Sequence, residues 1–132
     1  MDYLLDTHAL IWAITERSKL STLVRQTIEN SDNKISVSSI TFWEIALKFS
    51  IGKMELQGIL SEEFPELSVK MGFQLISLST DESASYSKLI KTSHKDLFDR
   101  MLIWQAIRRN LIFISKDDSI AQYSAAGLKT LW

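Results

Sequence analysis

Four carboxylates stand where this chain changes from one element to the next. Asp6 closes the apolar run Tyr3-Leu4-Leu5, and Glu44 lies in the helical segment after Lys34-Ile35-Ser36-Val37. Asp99 falls in the first turn of a later helical segment, and Asp117 follows Leu111-Ile112-Phe113-Ile114 across the turn Ser115-Lys116. Carboxylates gathered in one place repel, raise one another's pKa and are best tolerated around a cation. The chain has no cysteine and two histidines, His8 and His94, which removes thiolate zinc sites and cysteine nucleophiles and leaves little for a histidine zinc centre. Hard oxygen ligands point instead to Mg²⁺ or Mn²⁺. Such a centre acidifies a water, polarises a phosphodiester and stabilises the leaving oxygen. Helix N-termini beside it add oriented N–H groups for phosphate.

Taken singly, each acid has a structural reading. Asp6, Asp99 and Asp117 occupy places where an aspartate caps a helix, worth ~1 kcal/mol. Thr41-Phe42-Trp43-Glu44 spells a capping box, Ser/Thr followed three residues later by Glu. For one acid alone capping is the stronger reading; the joint placement of four favours a cation site. Around them, Thr7 is placed either to hydrogen-bond a site carboxylate or simply to fill the first turn of a helix. Asp96 borders Asp99 in the chain. Arg100 is placed to meet a carboxylate or phosphate, or to remain a solvated surface cation. Asp118 reads as a surface or capping residue beside Asp117. His8 and His94 can meet phosphate, though an isolated histidine is more often structural. Trp12, Trp43 and Trp104 read as core or interface residues ahead of base stacking. The basic residues of the second half are scattered rather than striped.

The elements that must position these acids alternate between strand and helix. Strands are expected at Tyr3–Leu5, Lys34–Val37, Phe73–Ser77, Leu111–Ile114 and Leu128–Leu131. Helices are expected at Ala9–Ile14, Ser21–Asn30, Ser38–Phe49, Ser61–Met71, Thr80–Lys91, Phe98–Arg109 and from Asp117 onward. The helix Ser38–Phe49 carries Phe42, Ile45, Ala46 and Phe49 on one apolar stripe. Alternating strands and helices make an α/β fold, a parallel sheet covered on both faces. Ligands of such a sheet collect beyond the carboxyl ends of its strands, where Asp6 and Asp117 stand.

With 132 residues and 45% hydrophobic content, the chain has room for one domain, 1–132, and enough apolar surface for its core. No apolar run approaches the ~20 residues of a membrane-spanning helix. The first residues carry an acid early and interrupt their apolar stretch with Asp6, Thr7 and His8, so a cytoplasmic protein without a membrane partner is expected. Net charge −1 provides no bulk attraction for nucleic acid, so phosphates must be met by metal or by local cations.

Four blocks, LLDTHALIW, SSITFWEIALKFSIGKMEL, HKDLFDRMLIWQA and IFISKDDSIAQY before a terminal LW, resemble the PIN-domain ribonucleases, closest to the VapC-type toxins of bacterial toxin–antitoxin pairs. The resemblance runs over nearly the whole chain in order and spacing. It implies a five-stranded parallel sheet with helices on both faces, and Mg²⁺- or Mn²⁺-dependent cleavage of RNA. Carried over by residue, it makes Asp6, Glu44, Asp99 and Asp117 the metal-holding and catalytic acids. It also implies a cognate antitoxin as partner, and homodimers are common among such proteins. Relatives usually have proline where this chain has Leu97, a change that removes no ligand. Other readings remain: a PIN-type RNA-processing nuclease without an antitoxin, or a catalytically silent α/β binding domain. A phosphatase with a nucleophilic aspartate after its first strand needs a second aspartate two positions on, and here that position is His8.

Overall fold

Short segments of three to five residues, apolar in the central strands and more polar at the edges, form five strands in the computed structural model, which describes residues 1–132. They are β1 (Asp2–Leu5), β2 (Lys34–Ser38), β3 (Gln74–Ile76), β4 (Ile112–Ile114) and β5 (Lys129–Leu131). All pair in parallel, in the order β3-β2-β1-β4-β5. The α/β architecture with a five-stranded parallel sheet is therefore present.

Six α-helices cross between the strands: α1 (Thr7–Thr15), α2 (Thr22–Glu29), α3 (Ser39–Ser50), α4 (Phe64–Lys70), α5 (Thr80–Ser85) and α6 (Leu97–Arg109). Alternation along the strands divides the core between the two faces of the sheet. Tyr3, Leu5, Ile35, Val37 and Ile114 pack on one side with Leu10, Val24 and Phe64 of α1, α2 and α4. Leu4 and Phe113 pack on the other with Ile40 of α3, Leu102, Ile103 and Ala106 of α6, and Tyr123. No helix is long and apolar enough to cross a membrane.

Local chemistry sets most boundaries. Ser21 caps α2 through its side chain, Ser79 and Glu82 form a capping box on α5, and Pro65 sits in the first turn of α4. Asn110 ends α6 with a left-handed backbone at φ 54. Two expected helices differ in form. The stretch Thr80–Lys91 is α-helical only to Ser85 and finishes as a 3₁₀ turn over Tyr86–Lys88. Ser83 and Ser85 return their hydroxyls to the carbonyls of Ser79 and Asp81, a pattern that weakens and bends a helix. The segment after Asp117 is a 3₁₀ helix over Asp118–Ala126.

The apolar stripe expected on α3 is displaced. Its buried residues are Ile40, Thr41, Glu44 and Ile45, while Ala46 and Phe49 face outward. Two polar side chains thus occupy the face turned toward the sheet. The strand order explains where they point: β2 and β3 lie to one side of β1, and β4 and β5 to the other. The chain's direction of progress reverses between β1 and β4, and the carboxyl ends of that pair open a crevice.

Candidate metal centre

Asp6 is fixed by the crevice itself. Its amide still pairs with the sheet, donating to the Ile114 carbonyl at 3.0 Å. Its carboxylate turns the chain into α1 by accepting from the Ala9 amide at 2.7 Å. The capping reading therefore holds for Asp6, and it coexists with burial at the sheet edge. That burial pushes its pKa up, against the opposing hydrogen bonds of Ser115 and Ala9 and the nearby His8.

Asp117, beyond β4, is held in the same manner. One carboxylate oxygen accepts from both the amide and the hydroxyl of Ser119, at 2.9 and 2.7 Å. Its other oxygen lies 3.8 Å from Nε2 of His94. Burial works to raise its pKa, but the Ser119 bonds and His94 outweigh it and hold Asp117 below the ordinary carboxylate range.

Asp99 departs from its capping reading. The cap of α6 is Asp96, whose carboxylate accepts from the Asp99 amide at 2.9 Å. Asp99 is thereby left to face the crevice, its Oδ2 3.2 Å from Nε2 of His94. Burial, followed by the negative charges of Asp96, Glu44 and Asp6, raises its pKa to about 6. Leu97 is 69% exposed and leaves the Asp96 cap intact.

Glu44 reaches the group from α3. No capping box forms with Thr41, because the helix begins three residues earlier, at Ser38, whose hydroxyl accepts from the Ile40 amide. Thr41 and Glu44 are interior helix residues facing the sheet. The Glu44 carboxylate is 2% exposed and receives the Thr7 hydroxyl at 2.5 Å on Oε1 and the Lys48 ammonium at 2.5 Å on Oε2. Thr7 thus hydrogen-bonds a site carboxylate, with the Thr41 hydroxyl 3.3 Å away. Lys48 loses hydration there, but its bond to Glu44 and the charges of Glu44, Asp96 and Asp99 raise its pKa.

The result is an open cleft of about 610 Å³ lined by Asp6, His8, Trp12, Asp99, Lys116, Asp117 and Asp118. Donor atoms of His94, Asp99 and Asp117 all lie within 4.8 Å of one another. Glu44 does not line this cleft, yet its charge is felt by both Asp6 and Asp99. Acids whose pKa values are raised by burial and, less, by neighbouring negative charges are the environment a divalent cation relieves, and the donor set is mostly hard oxygen. The residues fit a Mg²⁺ or Mn²⁺ ion.

Two further groups belong to this centre, His94 and Lys48. His94 precedes Asp99 by five residues, in the loop that feeds α6, and its side chain is 10% exposed. Lys48, one helical turn after Glu44, is a close partner of that carboxylate. The i,i+4 spacing of Glu44 and Lys48 was the available signal. Arg100 meets neither carboxylate nor solvent alone: it donates to the hydroxyls of Tyr86 and Tyr123, each at 2.8 Å, and to the Ile90 carbonyl. Of the tryptophans, Trp104 is buried, Trp43 is 62% exposed and Trp12 borders the cleft.

The model of the PIN domain family matches residues 3–126. No curated protein sequence matches the chain. Among solved structures, VapBC2 from Rickettsia felis, bound to a DNA fragment from its promoter, matches at 18% identity with a TM-score of 0.69, covering 99% of this chain and 98% of that one. VapBC-1 from nontypeable Haemophilus influenzae matches at 16% identity and TM-score 0.68, over 99% and 97% of the two chains. FitAcB from Neisseria gonorrhoeae matches at 17% identity and TM-score 0.66, over 100% and 97%. At these identities the likeness is one of fold.

Proposed function

The chain belongs to the PIN-domain family, and we propose that it is a Mg²⁺- or Mn²⁺-dependent endoribonuclease, the toxin of a toxin–antitoxin pair. The observation that carries this reading is the meeting of Asp6, Asp99 and Asp117 on one cleft at the switch point of the sheet, with Glu44 charged behind them. Asp6, Glu44, Asp99 and Asp117 would hold the cation. When bound, it supplies positive charge to the scissile phosphate and acidifies a water for in-line attack.

The chain's own residues do the rest. Thr7 and Lys48 fix both oxygens of Glu44, so its carboxylate stands in one orientation behind the cleft. Asp96 holds the first turn of α6 and thereby the backbone of Asp99. Lys116, beside Asp117, sets its ammonium 5.9 Å from the centre of the Trp12 ring, which also takes Lys19 at 5.8 Å, and brings a cation to the cleft wall where a phosphate would approach. No side chain is placed as a covalent nucleophile, and the cation rather than a basic surface confronts the phosphates, in keeping with net charge −1.

An antitoxin partner is supported by a second feature. Ile40, Trp43, Leu47, Tyr86, Leu97, Phe98 and Met101 line a wholly apolar groove of about 440 Å³ between α3 and α6. Trp43 and Leu97 are 62% and 69% exposed there, a patch that a partner would cover. A further solved neighbour, VapBC-5 from Mycobacterium tuberculosis, is described as a member of the VapBC family of toxin–antitoxin systems. The same reading makes the protein cytoplasmic and a homodimer, the latter checked by light scattering of the purified chain.

The test is RNA end-mapping after expression, with Asp6→Asn as control, followed by cleavage of RNA by purified protein. Cleavage with Mg²⁺ or Mn²⁺, lost on chelation and in Asp6→Asn, is expected. Asp6→Asn preserves the cap on α1, since Asn caps about as well as Asp. Cleavage by that variant at the wild-type rate would remove Asp6 from catalysis.

A further inference from the structure

His94 stands at the centre described above without a role in it. Its side chain is nine-tenths buried, with Nε2 3.2 Å from Oδ2 of Asp99 and 3.8 Å from Oδ2 of Asp117. Donors bonded at ~2.1 Å to one octahedral ion lie ~3.0 Å apart when adjacent and ~4.2 Å when opposite. The separations of the three donor atoms, all within 4.8 Å, are therefore those of groups that can share an ion after small adjustments.

The far side of the ring is equally ordered. Nδ1 lies 3.1 Å from the Tyr123 hydroxyl. Arg100, which has no acceptor atoms, donates to that hydroxyl at 2.8 Å and occupies one of its acceptor sites. The remaining neighbours of the hydroxyl are the Thr92 hydroxyl at 2.9 Å and the His94 carbonyl at 3.5 Å. Two proton arrangements satisfy this ring of partners. In one, Tyr123 donates to Nδ1, and Nε2–H donates to Asp99. In the other, Nδ1–H donates to Tyr123, Tyr123 donates to Thr92 or to the His94 carbonyl, and Nε2 presents a bare lone pair to Asp99 and Asp117.

We propose that His94 is a ligand of the divalent cation through Nε2, and that Tyr123, held by Arg100, is the positioning residue that sets the ligating tautomer. The proposal rests on reading the cleft as a metal centre. It adds one nitrogen to an otherwise all-oxygen donor set. Metal-ligating histidines characteristically donate their other N–H to a fixed partner, which sets tautomer and ring orientation. Here the partner is a phenol that accepts as readily as it donates, so the ring can serve Asp99 as a donor without the ion and serve the ion as a ligand with it. Imidazole suits transition ions better than Mg²⁺, which prefers oxygen. His94 thus biases the centre toward Mn²⁺ over Mg²⁺.

Pulsed EPR of Mn²⁺ added to the full chain reads the ligand directly. Histidine-nitrogen coupling is expected in the wild type. It should change its nuclear signature when only the histidines carry ¹⁵N, a measurement that needs no variant to fold. The coupling should persist in His8→Asn, the control for the other imidazole of the cleft, and vanish in His94→Asn while Mn²⁺ stays bound through the acids. Tyr123→Phe should weaken Mn²⁺ binding by calorimetry about tenfold, the range of an outer-shell partner, and weaken Mg²⁺ binding less. Bound Mn²⁺ without imidazole coupling would overturn the role of His94 and leave the carboxylate centre standing. Coupling lost in His8→Asn would transfer the ligand to His8. An unchanged Mn²⁺ affinity in Tyr123→Phe would overturn the positioning role of Tyr123. A protein that binds no Mn²⁺ at all would overturn this proposal together with the metal-centre reading beneath it.

Discussion

At the scale of single residues, the acids differ in what else they do, and their variants should separate accordingly. Glu44 makes no cap, so Glu44→Gln removes a charge without removing a helix terminus. Gln can still accept from Thr7, and Lys48 is 27% exposed and can turn to water. RNA cleavage by Glu44→Gln should fall by more than the ~10–100-fold typical of outer-shell losses, while its melting temperature moves by only a few degrees, ~1 kcal/mol. Full activity in that variant would reduce the centre to three aspartates. Asp99 and Asp96 should behave in opposite ways. Asp99→Asn should be folded and inactive, since its carboxylate caps nothing. Asp96→Asn should keep both its cap and at least partial activity, whereas Asp96→Ala should lose ~1 kcal/mol of stability. By the same comparison Asp117→Asn should be inactive and Asp118→Asn active. One cleavage assay and one melting curve per variant check all six, and a reversed pattern would reassign the ligands.

At the scale of elements, α3 and α6 carry the polar groups that the sheet does not. Ser38 at the end of β2 donates to buried Gln105 of α6 at 2.5 Å, and Gln105 in turn donates to Glu82 of α5 at 3.2 Å. Glu82 is 4% exposed and takes Arg109 of α6 in two hydrogen bonds, at 2.6 and 2.9 Å. Burial opposes its charge, but Arg109, the Ser79 amide and Gln105 outweigh it and bring its pKa down to about 2. A depressed folded-state pKa means that the pair stabilises the protein above the unfolded value of 4.5 and ceases to do so as pH falls toward 2. Arg109→Met should therefore cost ~1.5–3 kcal/mol at neutral pH. The difference from wild type should shrink in denaturant titrations run between pH 4.5 and 2. An equal cost at both ends of that range would show that Arg109 acts through packing alone.

At the scale of the whole molecule, the cleft makes stability depend on pH and on cation together. Asp99 is raised from 3.8 to about 6, and Asp6 is raised as well. Raised folded-state values favour the protonated native protein, so their contribution is complete below ~4 and is lost as pH climbs through about 6. The lowered values of Glu82 and Asp117 act in the other direction only below the ordinary carboxylate range. The cation-free protein should thus be more stable at pH 5 than at pH 7. A divalent ion at a hundredfold excess over its Kd adds ~2.7 kcal/mol, or roughly 5–15 °C in melting temperature for a domain of this size. The gain should be larger at pH 7 than at pH 5, where part of the cluster is protonated, and Asp6→Asn should blunt it. Melting curves indifferent to millimolar Mn²⁺ at both pH values would return the acids to structural roles alone.

What the chain's order of residues determined by itself was periodicity and punctuation. Five apolar runs separated by helical stretches dictate a parallel α/β sheet, because every strand must be buried on both faces. Asp6, directly after a strand, and Asp117, a two-residue turn after another, could be placed on the carboxyl edge without coordinates. Local signals failed where two elements compete for one residue. Thr41 and Glu44 spell a capping box, yet Ser38 starts the helix earlier, and only packing of α3 against α1 brings Glu44 to Thr7. Asp99 and Asp96 are both plausible caps by position, and the tertiary fold decides which one faces the cleft. His94 and Tyr123 are 29 residues apart. Their meeting depends on how α6 and the 3₁₀ segment dock on one face of the sheet, a long-range contact that no local spacing encodes.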